Sequence, residues 1–96
     1  MTKYELMFIV RPDVDEAALT SAREKVQSIV TDMGGQVEEV KDMGKRRLAY
    51  LIDNYREGFY TVTTFQSNSD AVQEVERVLN INDSVMRYLT INLDQK

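Results

Sequence analysis

Cysteine and histidine are both missing from this chain. Without thiols there is no disulfide framework, no thiolate nucleophile and no iron–sulfur cluster. Without imidazole there is no Cys/His metal site, no base poised near neutral pH and no physiological pH switch. Proline occurs once, at Pro12; no linker or low-complexity segment divides the 96 residues, and residues 1–96 are expected to form one domain with a single modest core. Long apolar runs are missing too: the opening MTKYELMFIV is interrupted by Glu5 and falls far short of the roughly 20 residues that cross a bilayer. A cytoplasmic protein with no membrane association is expected. An excess of positive charge is also lacking. Twelve Lys and Arg stand against sixteen Asp and Glu, and a net charge of −4 argues against a free-standing nucleic-acid binder.

The charge that is present is segregated. Residues 41–56 hold Lys41, Lys45, Arg46, Arg47 and Arg56 against Asp42 and Asp53, which leaves that window at +3 and the remainder at −7. Around it the hydrophobic pattern defines six elements. Tyr4 to Val10 is rich in aromatic and β-branched residues and stops at Arg11-Pro12-Asp13, as a strand followed by a turn. Asp13 with Glu16 three residues on suggests a helix start; Leu19, Ala22, Val26, Ile29, Val30 and Met33 form one apolar stripe of about five turns, and Gly34-Gly35 supply the stop. Gln36 to Asp53 reads as a second strand bent or bulged at Gly44, Asn54 to Gly58 as a turn, and Phe59 to Gln66 as a third strand. Ser67-Asn68-Ser69-Asp70 caps a shorter helix with Val72, Val75, Val78 and Leu79. Asn80 to Ser84 then turns into a fourth strand, Val85 to Leu93.

The order β-α-β-β-α-β with right-handed crossovers predicts an α+β, ferredoxin-like split-βαβ sandwich: a four-stranded antiparallel sheet of order 4-1-3-2 with both helices on one face. The second strand is then an edge, and the other sheet face has no helix to cover it. If Tyr4, Leu6, Phe8 and Val10 point at the helices, Met7 and Ile9 point away. Tyr60, Val62, Leu89 and Ile91 are candidates to join them in a bare apolar patch.

Lys45-Arg46-Arg47 has two readings. Cations on an edge strand block edge-to-edge aggregation, and cations grip phosphate, Arg bidentately and Lys as a point charge. Neighbouring side chains on a strand splay to both sides, so only some of the three can reach one backbone. Gly58-Phe59-Tyr60-Thr61-Val62 invites comparison with a stand-alone single-stranded RNA binder of RNA-recognition-motif type, yet adjacent Phe59 and Tyr60 must face opposite ways. Arg11 after the first strand is similar to the phosphate-holding arginine of acylphosphatases. Pro12 and Asp13 stand where the anion-cradling glycine loop would be, so an enzyme is not expected. Glu38, Glu39 and Asp42 fit a solvated face, and Tyr50 and Tyr55 flank the hairpin tip as packing lids or contacts.

Lys3-Tyr4-Glu5 opening the first strand, Gly44-Lys45-Arg46-Arg47-Leu48-Ala49-Tyr50 on the second and Gly58-Phe59-Tyr60 opening the third together resemble the bacterial small-subunit ribosomal protein of the sixth family. The resemblance covers essentially the whole chain, and GKRRLAY is its specific element. Members often finish in a polar or Glu-rich tail, whereas this chain ends Asp94-Gln95-Lys96. The resemblance implies a non-catalytic constituent of the small ribosomal subunit that binds central-domain rRNA as a heterodimer with ribosomal protein eighteen of the small subunit, with no cofactor, metal or small-molecule substrate. A basic partner would supply most of the phosphate neutralisation that an acidic chain lacks. Lys45, Arg46 and Arg47 are then the first RNA-contact candidates. Lys3 and Arg87, expected at opposite ends of antiparallel neighbours, are secondary. The expected partner patch is Met7, Ile9, Tyr60, Val62, Leu89 and Ile91, with the edge strand as the alternative interface.

Overall fold

Three alternate side chains of the first strand, Leu6, Phe8 and Val10, are fully buried. That period of two places one face of β1 (Thr2–Val10) against a helical layer and turns Met7 and Ile9 to the other side. The computed structural model describes residues 1–94, so the expected departure from a Glu-rich tail, which falls at Gln95 and Lys96, lies outside the described residues. Along the chain follow α1 (Glu16–Asp32), β2 (Gln36–Ile52), β3 (Tyr55–Ser67), α2 (Ser69–Ile81) and β4 (Val85–Asn92). The sheet is antiparallel in the order β2-β3-β1-β4, the expected split-βαβ arrangement.

The core lies between the sheet and both helices. Leu6, Phe8, Val10 and Phe65 meet Leu19, Val26 and Val30 of α1 and Val75 and Leu79 of α2. Met33 departs from the expected stripe: it is 39% exposed and serves as the C-cap of α1. Beyond it Gly34, at φ +86°, donates to the Thr31 carbonyl at 3.1 Å while Gly35 donates to that of Val30 at 2.8 Å, a Schellman ending. At the other end the cap is Asp15, not Asp13, and its Oδ1 accepts from the Ala18 amide at 2.8 Å. The helix starts two residues later than expected because residues 12–14 complete a turn after β1. Asp13 is thereby released to pair with Arg11 at 3.6 Å. Asn68 caps α2 through the Ala71 amide at 3.0 Å.

The β2–β3 hairpin turns earlier than expected. Asp53 and Asn54, at φ +50° and +70°, close it between Ile52 and Tyr55. Asp and Asn tolerate this left-handed region, which a tight two-residue turn needs at both positions. Gly58 is therefore not turn but buried strand. A β-carbon there would lie 2.8 Å from Met86 Cε, 3.2 Å from the Val10 carbonyl oxygen and closer still to Ile9 Cγ2.

The two sheet edges differ in charge. β2 carries Glu38, Glu39, Lys41 and Asp42 before the bulge and only cations, Lys45, Arg46 and Arg47, after it, whereas Arg87 is the one charged residue of β4.

Gly58→Ala is expected to destabilise the fold by about 1–3 kcal/mol, because backbone and buried Ile9 crowd the new methyl group. At Gly44, where φ is +75° and nothing lies within 4 Å, the cost of alanine is conformational and Asn recovers part of it. Urea unfolding of Gly58→Ala, Gly44→Ala and Gly44→Asn separates the two causes; wild-type stability in Gly58→Ala would contradict the packing.

Candidate functional site

Three register shifts interrupt the pairing of β2 with β3, one at Glu38 near its start and two further along that shape the site. At the first of these two, Asp42 pairs with Thr61 and Gly44 with Tyr60, leaving Met43 as an extra residue, the bulge expected at Gly44. The Asp42 Oδ1 accepts from the Gly44 amide at 2.9 Å and braces it. At the second, four residues of β2, Leu48 to Leu51, oppose one residue of β3 between the pairs Arg47↔Glu57 and Ile52↔Tyr55. Such an excess of length on one strand forces it to coil. The hairpin beyond Phe59, which pairs with Val10 at the end of β1, becomes an arm that curls over the helix-free face.

The arm gathers the cations. Among the described residues Lys3, Arg11, Arg23, Lys41 and Arg77 pair with carboxylates. Lys25, Lys45, Arg46, Arg47, Arg56 and Arg87 do not, and four of those six lie on the arm. Residues 12–33 and 68–84, which hold both helices, contain nine carboxylates and three cations, so the helical layer is −6 and the rest of the chain +2. The segregation seen along the chain is thus a division between layers.

Lys45, Arg46 and Arg47 do splay. Lys45 is in register with Phe59, which packs against the core from the helix side, and its Nζ lies 5.5 Å from the ring centroid. Arg46 is in register with Gly58, and its Nε donates to the Met43 carbonyl at 2.9 Å across the bulge. That bond leaves the outer edge of the guanidinium facing away. Arg46 and Arg47 rim a groove of about 290 Å³ floored by Met7, Tyr60 and Val62. Arg56 belongs with them: it and Arg47 flank a second hollow that contains Tyr50 and Leu51. Its place in the cationic window was the available signal.

The secondary candidates are occupied. Lys3 Nζ is 3.1 Å from Glu38 Oε1, and Glu38 also accepts from Gln66 Nε2. These hydrogen bonds, Gln66 first and Lys3 second, hold the Glu38 carboxyl below the ordinary glutamate value. Arg87 pairs in register with Ile9, some six residues along β1 from Lys3, so the two lie at opposite ends as expected, and its guanidinium rests against the Tyr50 ring.

The face without helices is only partly bare. Leu89 and Ile91 are 54% and 46% exposed, and Met7 and Val62 are half-buried. Ile9 is corrected from bare patch to buried, at 4% exposure, and Tyr60 is half-buried. Both line a cavity of about 320 Å³ with Leu48, Tyr50 and Ile52 of the arm. Phe59 and Tyr60 face opposite ways, so one aromatic of that pair reaches this face. Tyr55 at the arm's end donates its hydroxyl to Asp13 Oδ2 at 3.0 Å.

The described residues thus form a small ferredoxin-like sandwich with one covered sheet face and with four of its six cations that lack a carboxylate partner on a curled hairpin. A profile of the family described as ribosomal protein S6 matches residues 3–92. Over 96 residues the chain is 44% identical to the small ribosomal subunit protein bS6 of Moorella thermoacetica, spanning all of this chain and 98% of that one. It is 45% identical over 95 residues to the protein of the same name from Lactobacillus helveticus, covering 98% and 97% of the two. The crystal structure of 30S ribosomal protein S6 from Thermotoga maritima superposes with a TM-score of 0.89 at 33% identity, covering 95% of this chain and 86% of that one. The chain belongs to the ribosomal protein S6 family. These relatives carry the names of subunit constituents, not of enzymes.

The Glu38 carboxyl carbon is expected to titrate below 4.5 in an NMR pH series, with Gln66→Leu raising the midpoint more than Lys3→Met does. Because the folded value is depressed, the carboxylate's contribution to stability is present above the unfolded value and is lost as pH falls through the folded one. A midpoint at 4.5 in the wild type would remove the hydrogen-bonded arrangement.

Proposed function

We propose that this chain is a non-catalytic constituent of the small ribosomal subunit in the bacterial cytoplasm, and that it binds central-domain rRNA as a heterodimer with ribosomal protein eighteen. The observation that carries this reading is the placement of the carboxylate-free cations. Lys45, Arg46, Arg47 and Arg56 sit together on one arm, while the helical layer carries a net −6. A polyanion is attracted to the arm and repelled by the helices, so electrostatics alone sets the orientation in which the domain docks. Family membership supports the particle; the local charge supports the contact.

The need for a basic partner follows from the same charges. Phosphate contacts set affinity through counterion release, and an overall −4 chain offering one cationic arm has few such contacts. The partner's place is the uncovered part of the sheet, where Leu89 and Ile91 stand exposed beside Met7 and Val62. Ile9 and Tyr60 support that surface from beneath the arm.

Replacing Arg46, Arg47 and Arg56 together with Ala should weaken the heterodimer's binding to central-domain RNA and reduce the salt slope by about three units, about one for each arginine taken from a phosphate. Filter binding at several salt concentrations measures this. An unchanged slope would make the cations edge protection, and tight binding by the wild-type chain alone would favour the stand-alone RNA binder. Leu89→Glu should weaken partner binding in calorimetric titration by more than about 2 kcal/mol, since it buries a charge at an apolar contact. Unchanged affinity would move the interface to β2.

A further inference from the structure

Tyr50 and Arg87 belong to the two opposite edge strands of the sheet, yet the Arg87 Cζ lies 5.7 Å from the Tyr50 ring centroid. Between β2 and β4 stand β3 and β1, three strand spacings or roughly 14 Å in all. The contact therefore exists only because the arm spans the face. We propose that Tyr50 and Arg87 form a clasp that holds the arm across the open sheet face, and that Arg87 is a positioning residue acting through Tyr50, not a group that grips phosphate; the RNA part of this statement rests on the function proposed above.

The arm is held at two points. The second is the hydroxyl of Tyr55, which donates to Asp13 Oδ2 at 3.0 Å in the loop after β1. Between these points the arm does not fill the space beneath it. A cavity of about 320 Å³ remains, lined by Met7, Ile9, Leu48, Ile52 and Tyr60 among others. Dense packing makes a segment hard to displace, and an arm bridging a cavity of that size has little of it. Its position consequently depends on the contacts at its end. A guanidinium over a tyrosine ring suits the task, because the attraction acts through the ring face and uses none of the backbone groups that the coiled strand has left out of register.

The clasp links two surfaces. While it is closed, Ile9 stays covered and Arg46, Arg47 and Arg56 keep a fixed spacing; when it opens, the apolar floor is uncovered and the arginines no longer hold that spacing. Stacked on the ring, the Arg87 guanidinium still keeps its in-plane N–H groups, so the salt slope and not the stacking itself separates a positioning role from phosphate contact.

Three measurements on the full chain test this. In the wild type the Arg87 side-chain resonances should be displaced by the Tyr50 ring current, a displacement kept in Tyr50→Phe and abolished in Tyr50→Leu. Amide exchange at the hairpin-closing residues Ile52 and Tyr55 should be about threefold to fivefold faster in Tyr50→Leu and in Arg87→Gln, and near the wild-type rate in Tyr50→Phe and Arg87→Lys. The double variant should exchange no faster than either single one, since each removes the same interaction. Absence of the ring-current displacement, or additive rates, would overturn the clasp. With the heterodimer and RNA, a positioning role predicts equal losses of affinity for Tyr50→Leu and Arg87→Gln with the salt slope unchanged. A slope reduced by about one unit in Arg87→Gln alone would make Arg87 a phosphate ligand instead. Should the heterodimer fail to bind RNA at all, the proposed function falls while the exchange and resonance data still decide the clasp.

Discussion

Side chains on a strand alternate, and β1 is held between β3 and β4 with one of its faces committed to the core. Leu6, Phe8 and Val10 meet both helices there, and their complete burial fixes the register of the whole sheet, because a slip of one residue would exchange them for Glu5, Met7 and Ile9 and bury a carboxylate. The same alternation creates the difficulty on the other side. Met7 and Ile9 are as apolar as the residues they alternate with, and both helices are already used. β2 meets that difficulty with length. Its surplus residues opposite Arg56 coil the hairpin, and the arm covers Ile9 while leaving Leu89 and Ile91 in the open.

Charge follows the same geometry. In the helical layer, carboxylates cap helices or pair with nearby cations: Asp15 with the Ala18 amide, Glu74 with Arg77. Asp42 reaches up from the sheet to Arg23 at 2.9 Å, and the same guanidinium donates through Nε to buried Thr61, tying α1 to the strands. The arm curls away from most of these partners. Among the described residues its arginines form no ion pair within 4 Å, although Glu57 stands opposite Arg47 in register; Arg46 binds backbone instead. An acidic protein can in this way present a locally basic surface without becoming basic as a whole.

Much of this was legible along the chain. Alternation from Tyr4 to Val10, the stripe Leu19, Ala22, Val26, Ile29 and Val30, and the Gly34-Gly35 stop each have one physical solution, and together they define the topology. What escaped were positions where several residues compete for one task. Three carboxylates, Asp13, Asp15 and Glu16, precede or open α1, and choosing the cap needs the exact length of the turn at Pro12. Both Asp53-Asn54 and the stretch up to Gly58 contain turn-forming residues; only the crowding around Gly58 shows that it belongs inside the sheet. The arm was the least accessible feature. A four-against-one mismatch leaves no compositional mark, so neither the burial of Ile9 nor the meeting of Tyr50 with Arg87 follows from pattern. For the same reason Lys45, Arg46 and Arg47 were recognisable as a group, while the addition of Arg56 waited on the pairing of the strands.

The unequal edges of the sheet have a consequence for chains present in excess of their assembly sites. A filament grows when each molecule offers two complementary edges, one to the neighbour before and one to the neighbour after. Here the half of β2 beyond the bulge meets a newcomer with Lys45, Arg46 and Arg47 and no carboxylate, while β4 carries the single charge of Arg87. Two chains meeting β4 to β4 would satisfy each other around a twofold axis and leave outward the β2 rims, cationic beyond the bulge. An association through the bare edge would close at a pair, with the cationic half of β2 opposing further growth.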